Sequence, residues 1–236
     1  MYIWLGKCPV IYYNLYMPIY RKVNKNFFKK WSYDMAYVLG FFAADGYITN
    51  NKRGASFWSI DITDKELLFS IRKAVDSDHK ITERIRKNIG SNIYRLQIGS
   101  KEMVEDLGSL GFNAKKSLTL KVPNIPKKYV SDFIRGYFDG DGNVWVGYVH
   151  KERKTSTVAI QVAFTSASKN FLISLKDLLH MQGLMGGSIY THKIRNFSRL
   201  AFVNKDALKI YKIMYNRKTP LFLNRKKEVF ERYMRL

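Results

Sequence analysis

From Tyr33 onward the apolar residues fall into blocks whose spacing switches between the helical and the strand period, and the switches run through one order twice. Tyr33–Ala44 is apolar on nearly every face, which predicts a buried helix of about three turns. Strand-like WSIDIT (58–63) follows, then DKELLFSIRKAV (64–75), with Leu67, Leu68, Ile71 and Val75 on one helical face. HKITERIRK and NIYRLQIGS alternate with period two and predict a hairpin; KEMVEDLGSL (101–110) returns to the helical period. The second pass runs from a helix at Tyr129–Gly140 through VAIQVAFTS (158–166) and SKNFLISLKDLL (168–179). A hairpin of SIYTHKIRN with FSRLAFVN and a helix at KDALKIYKIM (205–214) complete it.

The two passes also share residues. YVLGFFAADGYI (37–48) returns as FIRGYFDGDGNV (133–144), so Asp141 follows Asp45 by 96 residues. The expectation is an α+β chain made of a duplicated α-β-β-α-β-β-α unit, each unit carrying four antiparallel strands. VPNIPK (122–127), with two prolines, marks the join, so the halves span 31–122 and 123–236. Asn50–Gly54 and Lys151–Thr155 read as turns after the first strand of each unit. Residues 1–30 hold six basic residues and no acid, interleaved with Tyr and Phe. This stretch suits either an arm along a nucleic-acid backbone or a connector packed on the body.

Each repeated block is an apolar helix that stops at an acid followed by glycine. Gly40 and Gly136 sit mid-helix, where each costs about 1 kcal/mol of propensity, and close backbone approach is a reason to keep them. Gly46 and Gly142 stand where a left-handed C-cap is expected. Asp45 and Asp141 then fall at helix C-termini, an unfavourable place for a carboxylate. Packed side by side, the two acids would repel unless a divalent cation lay between them. Oxygen ligands and phosphate partners point to Mg²⁺, with Ca²⁺ or Mn²⁺ as substitutes in vitro.

VLGFFAADG (38–46) and IRGYFDGDG (134–142), with the lead-in PNIPKKYVSDFIRGYFDGDG (123–142), resemble the two motifs of single-chain LAGLIDADG homing endonucleases over about residues 27–236. The resemblance implies two pseudo-twofold halves joined through the motif helices, each offering a saddle-shaped sheet to the DNA major groove. It implies that Asp45 and Asp141 hold the catalytic metals, with Ala44 and Gly140 beside them. It also implies a staggered double-strand break by a monomer, in the service of intron or intein mobility. The earlier acid of the motif is Ala43 in one copy and Asp139 in the other; at two residues from Asp141 it points elsewhere on the helix, a structural acid.

The composition agrees with that direction. With 41 Lys+Arg against 19 Asp+Glu the net charge is +22, which calls for a polyanionic partner. At 46% hydrophobic the chain has material for a packed core, so wholesale disorder is excluded. One cysteine, Cys8, and four scattered histidines exclude a disulfide framework and a zinc finger, and suggest a reducing cytoplasmic or organellar interior. The apolar start contains Lys7, Pro9, Asn14 and Pro18 and offers neither a signal peptide nor a spanning helix.

Within the resemblance, Lys116 and Lys218 occupy matched places and are candidates to polarise the attacking water. Lys226 is a rival for the second role and a candidate DNA contact, and Gln161 is a candidate to orient the water. Arg84, Arg86, Arg95 and Gln97, then His192, Arg195 and Arg199, are candidate base readers on the alternating strands, since Arg suits guanine and Gln adenine. Two other functions stay open: an RNA-binding intron maturase on the same scaffold, and a DNA-binding regulator, which retention of both acids disfavours. The chain does not begin with Cys or Ser and ends in Met-Arg-Leu, so protein splicing is not expected.

Overall fold

The structure, a computed structural model, describes residues 20–85, 92–114, 119–150, 152 and 155–236. The first half runs α1 (Tyr33–Asp45), β1 (Gly46–Asn50), β2 (Ser56–Ile62), α2 (Lys65–Ala74), β3 (Ile81–Arg84), β4 (Ile93–Gly99) and α3 (Lys101–Ser109). The second repeats it as α4 (Val130–Asp141), β5 (Gly142–Val149), β6 (Thr157–Ser166), α5 (Lys169–Met181), β7 (Ser188–Thr191), β8 (Ser198–Val203) and α6 (Asn204–Met214). A further helix, α7 (Asn224–Tyr233), has no counterpart in the sequence-based expectation. Helix starts follow local chemistry: Ser32, Ser100 and Ser168 each accept a hydrogen bond from the amide three residues on.

Each half carries one four-stranded antiparallel sheet, ordered β1-β2-β4-β3 and β5-β6-β8-β7. The registers match, since Gly46 lies opposite Ile60 and Ile60 opposite Leu96, as Gly142 lies opposite Phe164 and Phe164 opposite Leu200. Alternation then decides the faces. Trp58, Ile60, Leu96 and Ile98 point into the first core, and Ile160, Val162, Phe164, Leu200 and Phe202 into the second, all buried. The amphipathic α2 and α5 supply Leu67, Leu68 and Ile71, and Phe171, Leu172, Leu175 and Leu179, to the same cores.

The halves meet through α1 and α4. A Cβ on Gly40 would stand 2.1 Å from the carbonyl oxygen of Phe133 and 2.9 Å from the amide nitrogen of Tyr137. A Cβ on Gly136 would stand 2.0 Å from the oxygen of Tyr37 and 2.9 Å from the nitrogen of Phe41. The partners are repeat-equivalent, so the contact is the self-complementary kind that a twofold produces. Close backbone approach is therefore the reason for both mid-helix glycines.

Residues 20–30 are packed on the first half: Phe27 and Phe28 are buried, Phe28 lies edge-on to Trp58 at 5.5 Å, and the Asn24 amide donates to Val75. Residues 1–19 lie outside the described residues. In the second half the chain after α6 is tied along α4 by Arg135, which is fully buried. Its guanidinium donates to the carbonyls of Leu221 (2.9 Å) and Met214 (2.7 Å) and to Asp132 (2.5 Å). Arg217 donates to the same Asp132 at 2.8 Å, which satisfies a carboxylate that would otherwise be costly to bury.

Candidate functional site

Both motif helices end at their acids, and the chain turns straight into β1 and β5. Gly46 and Gly142 are extended (φ −78° and −85°), not left-handed, which corrects the expected C-cap. Their glycine character has another cause: a Cβ would stand 2.0 Å from the Phe42 ring at Gly46 and 2.3 Å from the Phe138 ring at Gly142. The ring one turn back thus folds under each helix–strand corner and allows no side chain there.

Crossing at Gly40 and Gly136 carries the two acids to one seam. Asp45 is exposed and Asp141 half-buried. A Cβ on Gly140 would meet the Ala44 Cβ at 2.3 Å and the Asp45 Oδ2 at 3.0 Å, so Asp45 rests against the residue next to Asp141. Both carboxylates act on the same neighbours: their charges help push the buried Tyr137 hydroxyl upward, after burial itself, and both reach Lys226. Beside Asp45 opens a pocket of about 250 Å³ lined by Asp61, Asp64, Asp139, Gly140, Leu223 and Arg225 among others. Arg225 bridges the halves there, donating to both oxygens of Asp64 at 3.2 and 3.0 Å.

Beneath the seam lies a buried polar cluster. Asp139 is 2% exposed, accepts from the Tyr37 hydroxyl (2.7 Å) and the Leu223 amide (3.0 Å), and is pushed up to about 6 by burial. Tyr37 is itself pushed upward by burial and by Asp139. These bonds match the expectation that Asp139 is structural. Lys226 is buried too, and burial lowers it to about 8. Its ammonium donates to the carbonyls of Phe138 (2.7 Å), Asp139 (2.8 Å), Gly140 (3.3 Å) and Gly142 (2.6 Å). A cation at the negative end of α4 offsets the macrodipole where Asp141 must sit.

Several expectations are corrected by these positions. Lys226 is no DNA contact, because its donors are spent inside the protein. The Gly140 carbonyl faces that ammonium, a poor neighbour for a metal ion; Gly140 serves the site by having no side chain. Lys218 follows Arg217, which bonds Asp132 in the first turn of α4 and stacks on Tyr33 at 4.1 Å. That is the far end of the helix, about 13 Å from Asp141 by helical rise. Gln161 faces outward opposite Trp145, three residues along β6 from the row of Gly142, or about 10 Å. Lys116 and Arg86 lie outside the described residues.

The outward sheet faces hold the other candidates. Arg95 is not free: it donates to Asp61 through Nε (2.8 Å) and Nη2 (2.7 Å), with the Tyr47 hydroxyl on the same carboxylate at 3.1 Å. Gln97 is exposed and donates to Ser59 at 3.3 Å, while Arg84 is exposed at the end of β3. On the second sheet Arg199 is exposed, with Thr165 opposite it where the first sheet has Asp61. His192 and Arg195 stand exposed in the β7–β8 turn, where His192 Nδ1 accepts from the amides of Ile194 and Arg195. No helix among the described residues is long and apolar enough to cross a membrane.

A family model described as a LAGLIDADG-like domain matches residues 32–109 and 128–213, one stretch per half. The chain belongs to the LAGLIDADG family. Among solved structures it is similar to the I-LtrWI LAGLIDADG homing endonuclease bound to target DNA, with a TM-score of 0.58, 14% identity and 89% of each chain covered. It is also similar to I-SmaMI on its uncleaved DNA target with calcium ions, with a TM-score of 0.55, 14% identity and 87% and 90% covered. At such identities these likenesses establish the LAGLIDADG fold alone.

Curated relatives are longer proteins. The chain is 27% identical over 143 residues to the replication factor C small subunit of Thermococcus kodakarensis, covering 61% of this chain and 16% of that protein. It is 31% identical over 152 residues to the RNA polymerase subunit Rpo1C of Methanocaldococcus jannaschii, covering 64% and 16%. Segments similar to part of this chain thus occur in proteins named for unrelated tasks, as a minor part of each.

Sequence reasoning missed the polar core of this LAGLIDADG chain: Asp132, Arg135, Tyr37 and the inward Lys226. One signal was available. Arg135 and Asp132 stand in the second motif helix where the first has Leu39 and Ala36, and a charged pair three apart on an otherwise buried helix implies enclosed partners.

Proposed function

We propose that this chain is a site-specific endonuclease that cuts both strands of a long double-stranded DNA site, with Mg²⁺ held by Asp45 and Asp141. The observation that carries the reading is the seam itself: two equivalent helices crossing at Gly40 and Gly136 and each delivering one carboxylate to the same place. A twofold arrangement of acids suits a duplex, whose two strands are themselves related by twofolds. Carboxylate oxygens against a glycine surface, with no thiol or imidazole among the described residues that line the pocket, suit a hard divalent cation. When bound there, such ions supply charge neutralisation and an activated water for phosphodiester hydrolysis.

The chain's own residues do the rest. Gly140 lets Asp45 close against α4, and Lys226 neutralises the helix end under Asp141. The Arg225–Asp64 bridge joins second-half chain to first-half chain beside the pocket. Exposed basic residues (Arg84, Arg199, Arg195) line the outward strands and the β7–β8 turn, where they can hold phosphates and base edges. DNA as partner is also supported by the charge of +22 and by relatives solved on DNA. Occurrence of such segments in unrelated proteins supports a mobile element. Intron RNA as a partner rests on the resemblance alone.

The test is selection of cleaved sites from a randomised duplex library with Mg²⁺. Recovery of one long site, cut on both strands, is expected. Recovery of none, or of products cut on one strand only, overturns the reading.

A further inference from the structure

The two outward sheet faces differ in chemistry at matched positions. In the first sheet, Tyr47, Ser59 and Gln97 form one cross-strand row; the matching row of the second is Asn143, Ala163 and Ala201. One step farther from the acids the first sheet has Thr49, Phe57 and Gly99, and the second has Trp145, Gln161 and Val203. Trp145 is 45% exposed and Val203 54% exposed, with the Gln161 amide between them. The indole is held along its strand: a Cβ on Gly147 would stand 2.3 Å from Trp145 Cζ2. A solvent-facing antiparallel strand ordinarily alternates to polar groups, so two exposed apolar side chains flanking the Gln161 amide mark a surface that something covers.

The surroundings say what covers it. Arg199 lies on the same face four residues along β8 from Val203, about 13 Å, and His192, Lys193 and Arg195 stand exposed in the turn beyond it, so with a net charge of +22 the face suits a polyanion. Inside a DNA major groove the base pairs expose one apolar group, the thymine C5-methyl, and a glutamine amide pairs best with adenine N6 and N7. Both features belong to the A·T pair. We propose that the row Trp145–Gln161–Val203 specifies A·T pairs in the half-site beneath the second sheet, Val203 and Trp145 on thymine methyls and Gln161 on adenine. Gln161 is then a base reader. The first sheet, with Gln97 and the Arg95–Asp61 pair, reads its half-site by hydrogen bonds.

This inference rests on the endonuclease reading, and the experiment separates the two. Duplexes bound in Ca²⁺ are selected from a randomised library by the full chain, by Val203→Ser, and by Trp145→Ala/Val203→Ser. Wild type is expected to select A·T pairs at two or more positions of one half-site; the position read by Val203 becomes degenerate in the single variant, those read by Val203 and Trp145 in the double variant, and the other half-site is unchanged. Replacing thymine by deoxyuridine at those positions removes only the methyl and should weaken wild-type binding about fourfold per methyl. It should leave Val203→Ser unaffected at the position Val203 reads. Substituting 7-deaza-adenine removes the N7 acceptor and one of the two hydrogen bonds to Gln161, so it should weaken wild-type binding and leave Gln161→Ala indifferent. A selected site with G·C pairs there, or full tolerance of uracil, overturns the inference and leaves the endonuclease reading standing. Selection of no site overturns both. The single Val203→Ser variant keeps Trp145 over its strand, and an unchanged melting curve secures the comparison.

Discussion

Gly40 and Gly136 make the same contact on each other's helix, each backbone sitting where a side chain of its partner would have to be. Asp45 and Asp141 follow five residues later, about 7.5 Å along each axis, so the glycines fix how far apart the acids stand. A positional fact about two hydrogen atoms in the core is therefore a statement about the site.

Gly136→Ala is accordingly expected to destabilise the protein by at least about 3 kcal/mol, since the methyl meets a backbone carbonyl with no freedom to move. Urea denaturation of the variant against wild type measures this. Gly108→Ala is the control: nothing lies within 4 Å of the added carbon, and the substitution should be neutral or slightly stabilising.

Asp45→Asn and Asp141→Asn, each alone, should lower double-strand cleavage at least about a hundredfold, because the amide keeps the shape and loses the charge. Binding in Ca²⁺, followed by gel shift, should persist. Wild-type cleavage by both single variants would show that the seam is not the reacting centre.

The order of elements, both hairpins and the helix crossing were legible in the sequence because periodicity, caps and the duplicated glycines all report on local geometry. The placement of Asp45 and Asp141 at matched helix ends was legible for the same reason, the same residue type standing at the same place in two copies. Lys226 was not, because nothing in FLNRKKEVF tells which of its basic residues turns inward; that is decided by carbonyls at the end of a helix 84 to 88 residues away. Nor could spacing show that Arg95 meets Asp61 or that Lys218 lies at the wrong end of α4. Both follow from how strands and loops register in space. The extended rather than left-handed Gly46 has a similar origin, since the folded-under Phe42 ring is a packing choice.

Lys226→Met tests the buried ammonium. Four carbonyls lose their donor and Asp139 loses a nearby cation, so a loss of about 3 kcal/mol in stability is expected. Lys227→Met, whose Glu231 bridge (3.2 Å) is partly exposed, should change stability by less than about 1 kcal/mol. If the two variants melted alike, the inward placement of Lys226 would be wrong.

Glu102 provides a pH signature. Its carboxylate is held down to about 2 by its own backbone amide, Lys25 and Ser100, at the start of α3. A carboxyl lowered on folding stabilises above its unfolded value of about 4.5, and the gain disappears as pH falls toward 2. The melting temperature of Glu102→Gln should therefore lie below that of wild type at pH 7, and the gap should narrow at pH 3. A gap independent of pH would assign the effect to packing.

DNA binding should be steeply salt-dependent. A chain of net charge +22 that sets its exposed lysines and arginines against a duplex releases one condensed counterion for nearly every phosphate it neutralises. With six to ten such contacts, affinity should fall by about 10³ to 10⁵ between 50 and 200 mM salt. Replacing Arg195, exposed in the β7–β8 turn, by Ala should reduce the slope by about one unit if it holds a phosphate, and weaken all duplexes alike. If instead it reads guanine, the slope should stay and preference at one position should relax. Titrations at four salt concentrations on the selected site and on a scrambled duplex distinguish these outcomes. A flat dependence for wild type would contradict a basic surface laid on DNA.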